Sequence, residues 1–192
     1  MARNAERARI SILDATLQLL RRGGSLTVDQ VAVAAQCAKG LVHYHYQTKG
    51  ALLAAAASRL AERRRARWSG AFRAATPAVA ISQSWELLVS ESRDGTLRAW
   101  FALCAEPDEV TGRTVRKEVG SFGAAIALAT DSLVAELGLT PTVSIQELGL
   151  LLAAVVHGTG LQLEAGVSPA SLQGAYAAAW LGVLSLTRPT RT

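Results

Sequence analysis

The chain has 192 residues, half of them apolar and 5% aromatic, enough for one domain or two small ones sharing a packed interior. Alanine and leucine dominate and β-branched runs are scarce, which favours helix nearly throughout and makes an all-α fold the expectation. The net charge of +5 is unevenly placed: residues 1–75 hold 13 Lys/Arg against 4 Asp/Glu, a balance of +9, and the remainder is mildly acidic. A basic first third suggests a polyanion-binding head, against the plainer reading of a solubilising surface. No stretch of about 18 residues is apolar without a charge, and the start lacks the apolar core of a signal peptide, so a cytoplasmic protein with no membrane partner is expected. Cys37 and Cys104 lack metal-site or redox-pair spacing and read as core thiols.

The punctuation predicts about nine helices. Ile10, Leu13, Leu17 and Leu20 recur at helical spacing, and Gly23-Gly24 ends the first helix. Thr27-Val28-Asp29-Gln30 has the form of a capping box, starting a second helix at Val28 that runs to about Ala35. A third, short helix covers Lys39 to about Tyr46. Thr48 caps a long fourth, expected to reach about Ala74 and to join head and body rigidly. Thr76-Pro77 opens a fifth, ending at Asp94-Gly95, and Thr96 is read as the cap of a sixth that ends before Pro107. Gly112, Gly120 and Gly123 weaken the seventh, which otherwise reads as helical through Leu137, with a break in two as the alternative. Ser144 to Glu147 form a second capping box for the eighth, and Ser168-Pro169 opens the ninth, closed by Pro189.

Helices over 28–35 and 39–46 with about three residues between them have the layout of a helix-turn-helix. Val31, Ala32 and Ala35 offer a small apolar face, closed from the other side by Cys37, Val42 and Tyr46. That leaves Ala38, Lys39, Gly40, Leu41 and His43 outward, with Tyr44 and His45 at the edge. Lys39 can donate to guanine or phosphate, Leu41 can touch a thymine methyl, and His43 can bond a base edge. Tyr44, His45 and Lys49 suit phosphates, and Thr27 with the first amides of its helix forms another phosphate site.

The segment ILDATLQLLRRGGSLTVDQVAVAAQCAKGLVHYHYQTKGALLAAA, from Ile12 onward, resembles the DNA-binding domain of the TetR family of transcriptional regulators. Thr27-Val28, Val31-Ala32, Ala35, Lys39-Gly40, Tyr44 to Tyr46 and Thr48-Lys49 followed by Ala51-Leu52-Leu53 carry the likeness. Three positions depart from the family pattern. Gln36 replaces a turn glycine, so a positive φ there costs about 1 kcal/mol. Ala38 replaces the serine cap of the third helix, forgoing about 1 kcal/mol. Gly50 replaces an acidic residue.

The resemblance implies a domain boundary near residue 48: a three-helix head over 1–48, and a helical ligand-binding and dimerisation body over 49–192. It also implies a homodimer through the last two helices. Their apolar stripes, Leu148, Leu152, Val156 and Leu163, then Tyr176, Trp180, Val183 and Leu184, are the expected interface, with the alternative that they face their own core. Gly149, Ala153 and Gly160 would permit close approach. Trp85, Trp100, Phe101, Cys104, Phe122 and His157 fall on helices that surround the ligand cavity in such proteins, and are candidates to meet a lipophilic or aromatic effector.

No metal or cofactor is expected: His43 and His45, two apart on a helix, point to different faces and cannot chelate jointly. Neither a nucleophile with a base nor a carboxylate pair is legible, so an enzyme is the least favoured class. The expected function is a ligand-responsive repressor whose dimer clamps a palindromic DNA operator. The alternative is a DNA-binding regulator without a small-molecule effector.

Overall fold

The computed structural model describes residues 2–72 and 76–190, with side chains from Asn4 onward. Among these, nine helices follow one another: α1 (Ala2–Arg22), α2 (Val28–Ala34), α3 (Lys39–His45), α4 (Lys49–Phe72), α5 (Pro77–Arg93), α6 (Thr96–Cys104), α7 (Glu109–Glu136), α8 (Ile145–Glu164) and α9 (Pro169–Ser185). The all-α reading holds, with one addition. Two three-residue strands, β1 (Leu139–Pro141) and β2 (Thr187–Pro189), pair antiparallel with Thr140 opposite Arg188. The expected end of the fourth helix near Ala74 lies outside the described residues.

The chain divides into two compact units, Met1–Glu62 with Asp94–Glu118, and Arg63–Arg93 with Val119–Thr192. The packing units therefore cut the chain differently from a boundary at residue 48. The core of the first unit draws on more than the first three helices. The first unit completes its core with Leu52, Leu53, Ala56, Ala57 and Leu60 of α4 and Ala99, Trp100 and Leu103 of α6, packed with Ile12, Leu13 and Leu17 of α1. Where α6 begins, Gly95 takes φ +76, and a Cβ there would lie 2.6 Å from the Arg21 carbonyl oxygen. Only glycine allows both that backbone and that approach. Arg98 then donates to the same carbonyl at 3.2 Å.

The sixth helix is capped differently from the sequence expectation. Thr96 is its first residue, and Asp94 Oδ1 accepts the Thr96 N–H at 2.9 Å. The seventh is one unbroken helix, started by Asp108, whose Oδ1 accepts from the Thr111 N–H and hydroxyl. By length and composition α7, 28 residues with an 18-residue window of mean hydropathy 1.2, is long and apolar enough to cross a membrane, although Asp131 and Glu136 interrupt its apolar run as the sequence expectation has it. Half of its most apolar window is buried, Phe122, Ile126, Leu133 and Val134 among it, as in a core helix.

In the second unit, both predicted caps form: Ser144 makes a full capping box with Glu147, and Ser168 accepts from the Ser171 N–H with Pro169 at the first helical turn. The Ser144 hydroxyl and N–H hold the Glu147 carboxyl below the usual carboxylate range. Gly149 of α8 crosses α7 so closely that a Cβ would sit 2.5 Å from that of Ala127. A chain of hydrogen bonds ties α9 to α5, from the Tyr176 hydroxyl to Ser84 Oγ at 2.9 Å and from Ser84 to the Ile81 carbonyl at 3.0 Å. Burial pushes the Tyr176 phenol up, opposed by the bond to Ser84.

Candidate nucleic-acid interface

The local chemistry of residues 27–49 sets the geometry of a reading head. Thr27, in extended backbone, caps α2 by accepting the Gln30 N–H at 3.2 Å, while Gln30 Oε1 accepts the Thr27 N–H at 2.8 Å. The predicted phosphate residue Thr27 is thus exposed but engaged by the cap. At the other end of α2 the Cys37 N–H reaches the Ala32 carbonyl at 3.0 Å and the Gln36 N–H reaches Val33 at 3.1 Å. These two bonds make a Schellman turn, which requires a left-handed residue at its pivot. That residue is Gln36, at φ +53, the one described non-glycine residue with positive φ. The strain expected from the missing glycine is therefore present.

The turn hands the chain to Ala38, extended at φ −68 and ψ 143, which starts α3 with no side-chain cap. Val42 of α3 packs with Val31 and Ala32 of α2, all buried, and Tyr46 closes the cluster. The Tyr46 hydroxyl donates to the Arg9 carbonyl at 3.3 Å, pinning the end of α3 to α1, and burial raises its pKa.

These anchors decide which side chains of α3 face outward. Ala38, Lys39, Gly40, His43 and Tyr44 are exposed, Leu41 is half-buried, and Tyr44 is 77% open to solvent. His45 is half-buried with its Nε2 enclosed and unpaired, and the Tyr44 ring stands edge-on to it, centroids 5.2 Å apart. Lys49, exposed at the start of α4, lies 3.9 Å from Glu106. Lys39 is held by both oxygens of Asp29 on α2, at 2.9 and 3.0 Å. That pair joins residues ten apart across the turn and had no signal in the sequence. Gly50 also finds its reason: a Cβ would lie 2.3 Å from Asp108 Oδ1, and the Gly50 carbonyl accepts from Thr111 at 3.2 Å.

The residues expected to meet an effector fall into separate surroundings. Trp100, Phe101 and Cys104 belong to the first unit: Trp100 is in its core, Phe101 is half-buried against that core, and Cys104 is exposed. The reading of both cysteines as core thiols is corrected, since Cys37 is only half-buried in the turn and Cys104 ends α6 in solvent. Phe122 and His157 meet in the second unit with ring centroids 5.2 Å apart. Around them stand Trp68, 5.9 Å from Phe122, and the Arg64 guanidinium, 5.2 Å above the same ring. Arg64 pairs with Glu91 at 2.9 Å. Burial first, and the Arg64 charge second, lower the His157 pKa to about 4, which keeps the imidazole neutral at neutral pH. Trp85 packs against Tyr176 with the rings tilted by 44° and centroids 5.4 Å apart, beside a groove of about 160 Å³ that Ile81, Ser82 and Gln173 also line.

The expected dimer stripe needs correction. Leu148, Leu152, Val156, Leu163, Tyr176, Trp180 and Val183 are buried within the chain and Leu184 is half-buried. Periodicity finds an apolar face but cannot say what covers it, and here α5 and the close crossing at Gly149 do. The large apolar side chains that α8 and α9 leave exposed are Leu150, Leu151, Leu161 and Leu181.

A sequence profile of the bacterial regulatory proteins, tetR family, matches residues 12–56, the span from α1 into α4 that builds this surface. Among curated proteins none matches the chain's sequence. Solved structures similar in fold include a regulator from Rhodococcus sp. assigned to the TetR family, 21% identical over 93% of this chain and 98% of that one, with a TM-score of 0.77. A TetR transcription regulator from Haloarcula marismortui is 21% identical, covers 95% and 100%, and has a TM-score of 0.75. NalD of Pseudomonas aeruginosa, the secondary repressor of the MexAB-OprM multidrug efflux pump, is 19% identical, covers 93% and 96%, and has a TM-score of 0.63. With the profile match seated on the helix-turn-helix, residues 12–56 form a DNA-binding segment of the tetR-family type, and the whole chain shares the fold of these solved regulators.

Proposed function

We propose that this regulator is a repressor that grips a palindromic operator as a homodimer and releases it when a small lipophilic or aromatic molecule binds the second unit. The observation that carries the DNA part is α3, which offers Lys39, His43 and Tyr44 to solvent while Val42 and Tyr46 anchor its back. In this reading Lys39, Leu41 and His43 read base edges in the major groove, and Thr27, Ala38, Gly40, Tyr44, His45 and Lys49 set the register on the backbone. A palindrome needs two heads about 34–36 Å apart, hence a dimer. Leu150, Leu151, Leu161 and Leu181 supply apolar surface for one.

Effector response is supported by polar groups set among aromatic rings in the second unit, Arg64, Glu91 and His157 beside Trp68 and Phe122, and by the groove at Trp85. Such a mixture suits a mostly apolar ligand oriented by one or two polar contacts. The effector acts only through its different affinity for the DNA-competent and DNA-incompetent states. A second reading, a regulator with no small-molecule effector, is favoured by ring centroids only 5.1 to 6.2 Å apart from Phe72 and Trp180 to Phe122.

The test uses the full chain and DNA from upstream of its own gene. Expected are sequence-preferring binding that weakens with salt, and a dimer by sedimentation. A panel of aromatic and lipophilic compounds should contain members that raise the melting temperature and release the DNA. Binding indifferent to sequence would overturn the repressor reading, and a panel without effect would favour the second one.

A further inference from the structure

We infer that Asp29 is a specificity-determining residue of the reading head, acting by holding Lys39. The inference rests on the proposed role of Lys39 at a base edge. Lys39 is the first residue of α3, and its ammonium is gripped by both carboxylate oxygens of Asp29, at 2.9 and 3.0 Å, although both side chains are more than half exposed.

A lysine is a flexible point charge that donates to any phosphate as readily as to a guanine. Left free at the head of α3, Lys39 would strengthen binding to all DNA alike, releasing about one counterion wherever the protein landed. The carboxylate changes this in two ways. It neutralises the ammonium locally, so exchange onto an arbitrary phosphate gains little. It also occupies part of the donor set of a group with three N–H bonds and leaves the remainder directed from a fixed point, which favours a base whose acceptors stand in the right place. Asp29 is itself placed by local structure: it lies in the first turn of α2, where a helix favours negative charge, next to the Thr27–Gln30 capping box. The other lysine of the head is tied less closely, with Glu106 3.9 Å from Lys49. The two lysines thus divide the work, Lys49 serving the backbone and Lys39 the sequence.

The test compares two duplexes of equal length, one selected by the wild-type protein from a randomised library and one unrelated. Full-length wild type, Asp29→Asn, Lys39→Ala and the double variant are measured across a salt series, with thermal melts to follow folding. Asp29→Asn should tighten binding to the unrelated duplex about three- to fivefold, as expected for releasing an exposed pair, and steepen its salt dependence by about one phosphate contact. Binding to the selected duplex should not tighten, so the ratio between the two falls. Asp29→Glu, which keeps the charge but shifts its position, should leave the unrelated duplex unchanged and weaken only the selected one. With Lys39→Ala already present, Asp29→Asn should no longer change the ratio. Equal effects of Asp29→Asn on both duplexes, or a loss of ratio that persists without Lys39, would overturn the inference. If Lys39→Ala alone left the ratio untouched, the base-reading role itself would fail, a separate and recognisable outcome.

Discussion

Arg64 of α4 and Glu91 of α5 form an ion pair at 2.9 Å with the two side chains only 2% and 0% exposed. Taking both charges out of water costs several kcal/mol each before their attraction returns anything, so the pair adds little stability over an apolar one. The Phe122 ring under Arg64 and the Arg67 guanidinium 3.9 Å from Glu91 soften that cost. Removing one partner is a different matter. Glu91→Gln should destabilise the protein by about 3–5 kcal/mol in urea unfolding, because it removes the carboxylate charge that faces a buried guanidinium. Arg64→Met with Glu91→Leu should recover most of that loss, and a double variant as unstable as the single would show that the pair is needed for more than charge balance.

The turn of the head offers a gain rather than a loss. Gln36 holds φ +53 and Ala38 starts α3 without a side-chain cap. Gln36→Gly and Ala38→Ser should each stabilise by about 1 kcal/mol, the first by relieving the left-handed backbone and the second by bonding a free amide of α3. In a chain of this size that is about 2–4 °C in the melting temperature for each. The two sites share one turn, so their sum in the double variant is worth measuring against strict additivity.

His157 makes stability depend on pH. Its folded pKa of about 4 lies below the unfolded value of 6.5, so the unfolded chain binds the extra proton between them. Stability from this residue is fully present above pH 6.5 and is lost as pH falls from there toward 4, by up to about 3 kcal/mol. Unfolding midpoints in urea between pH 7 and 4.5 should show this slope, and His157→Gln should flatten it. An unchanged slope in the variant would assign the acid sensitivity elsewhere.

Substitutions on the head should separate reading from gripping. Lys39→Ala and His43→Ala are expected to weaken binding by about 1–3 kcal/mol in a manner that depends on the sequence, whereas Lys49→Ala should weaken every duplex alike. Competition binding over a set of single-base operator variants distinguishes the two patterns, and a uniform loss from all three would count against base reading by α3.

Much of this molecule was legible before any coordinates. The caps at Thr27, Ser144 and Ser168, the strained backbone at Gln36 and the extents of α2 and α3 rest on forces acting within a few residues, which a sequence displays directly. Ala38, Lys39, Gly40, His43 and Tyr44 are exposed as the sequence suggests, because Val42 and Tyr46 anchor the back of α3, whereas Leu41 and His45 are half-buried.

What escaped the sequence involved partners distant along the chain. Asp29 meets Lys39 across a turn, Gly50 makes room for Asp108, and Arg64 finds Glu91 from another helix. The stripe from Leu148 to Val183 illustrates the division most clearly. Its spacing determined that α8 and α9 each carry a stripe of large apolar side chains. Only tertiary packing decided that this face is turned inward and that Leu150, Leu151, Leu161 and Leu181 are left outside, because helical periodicity specifies a direction around an axis and says nothing about what stands opposite it.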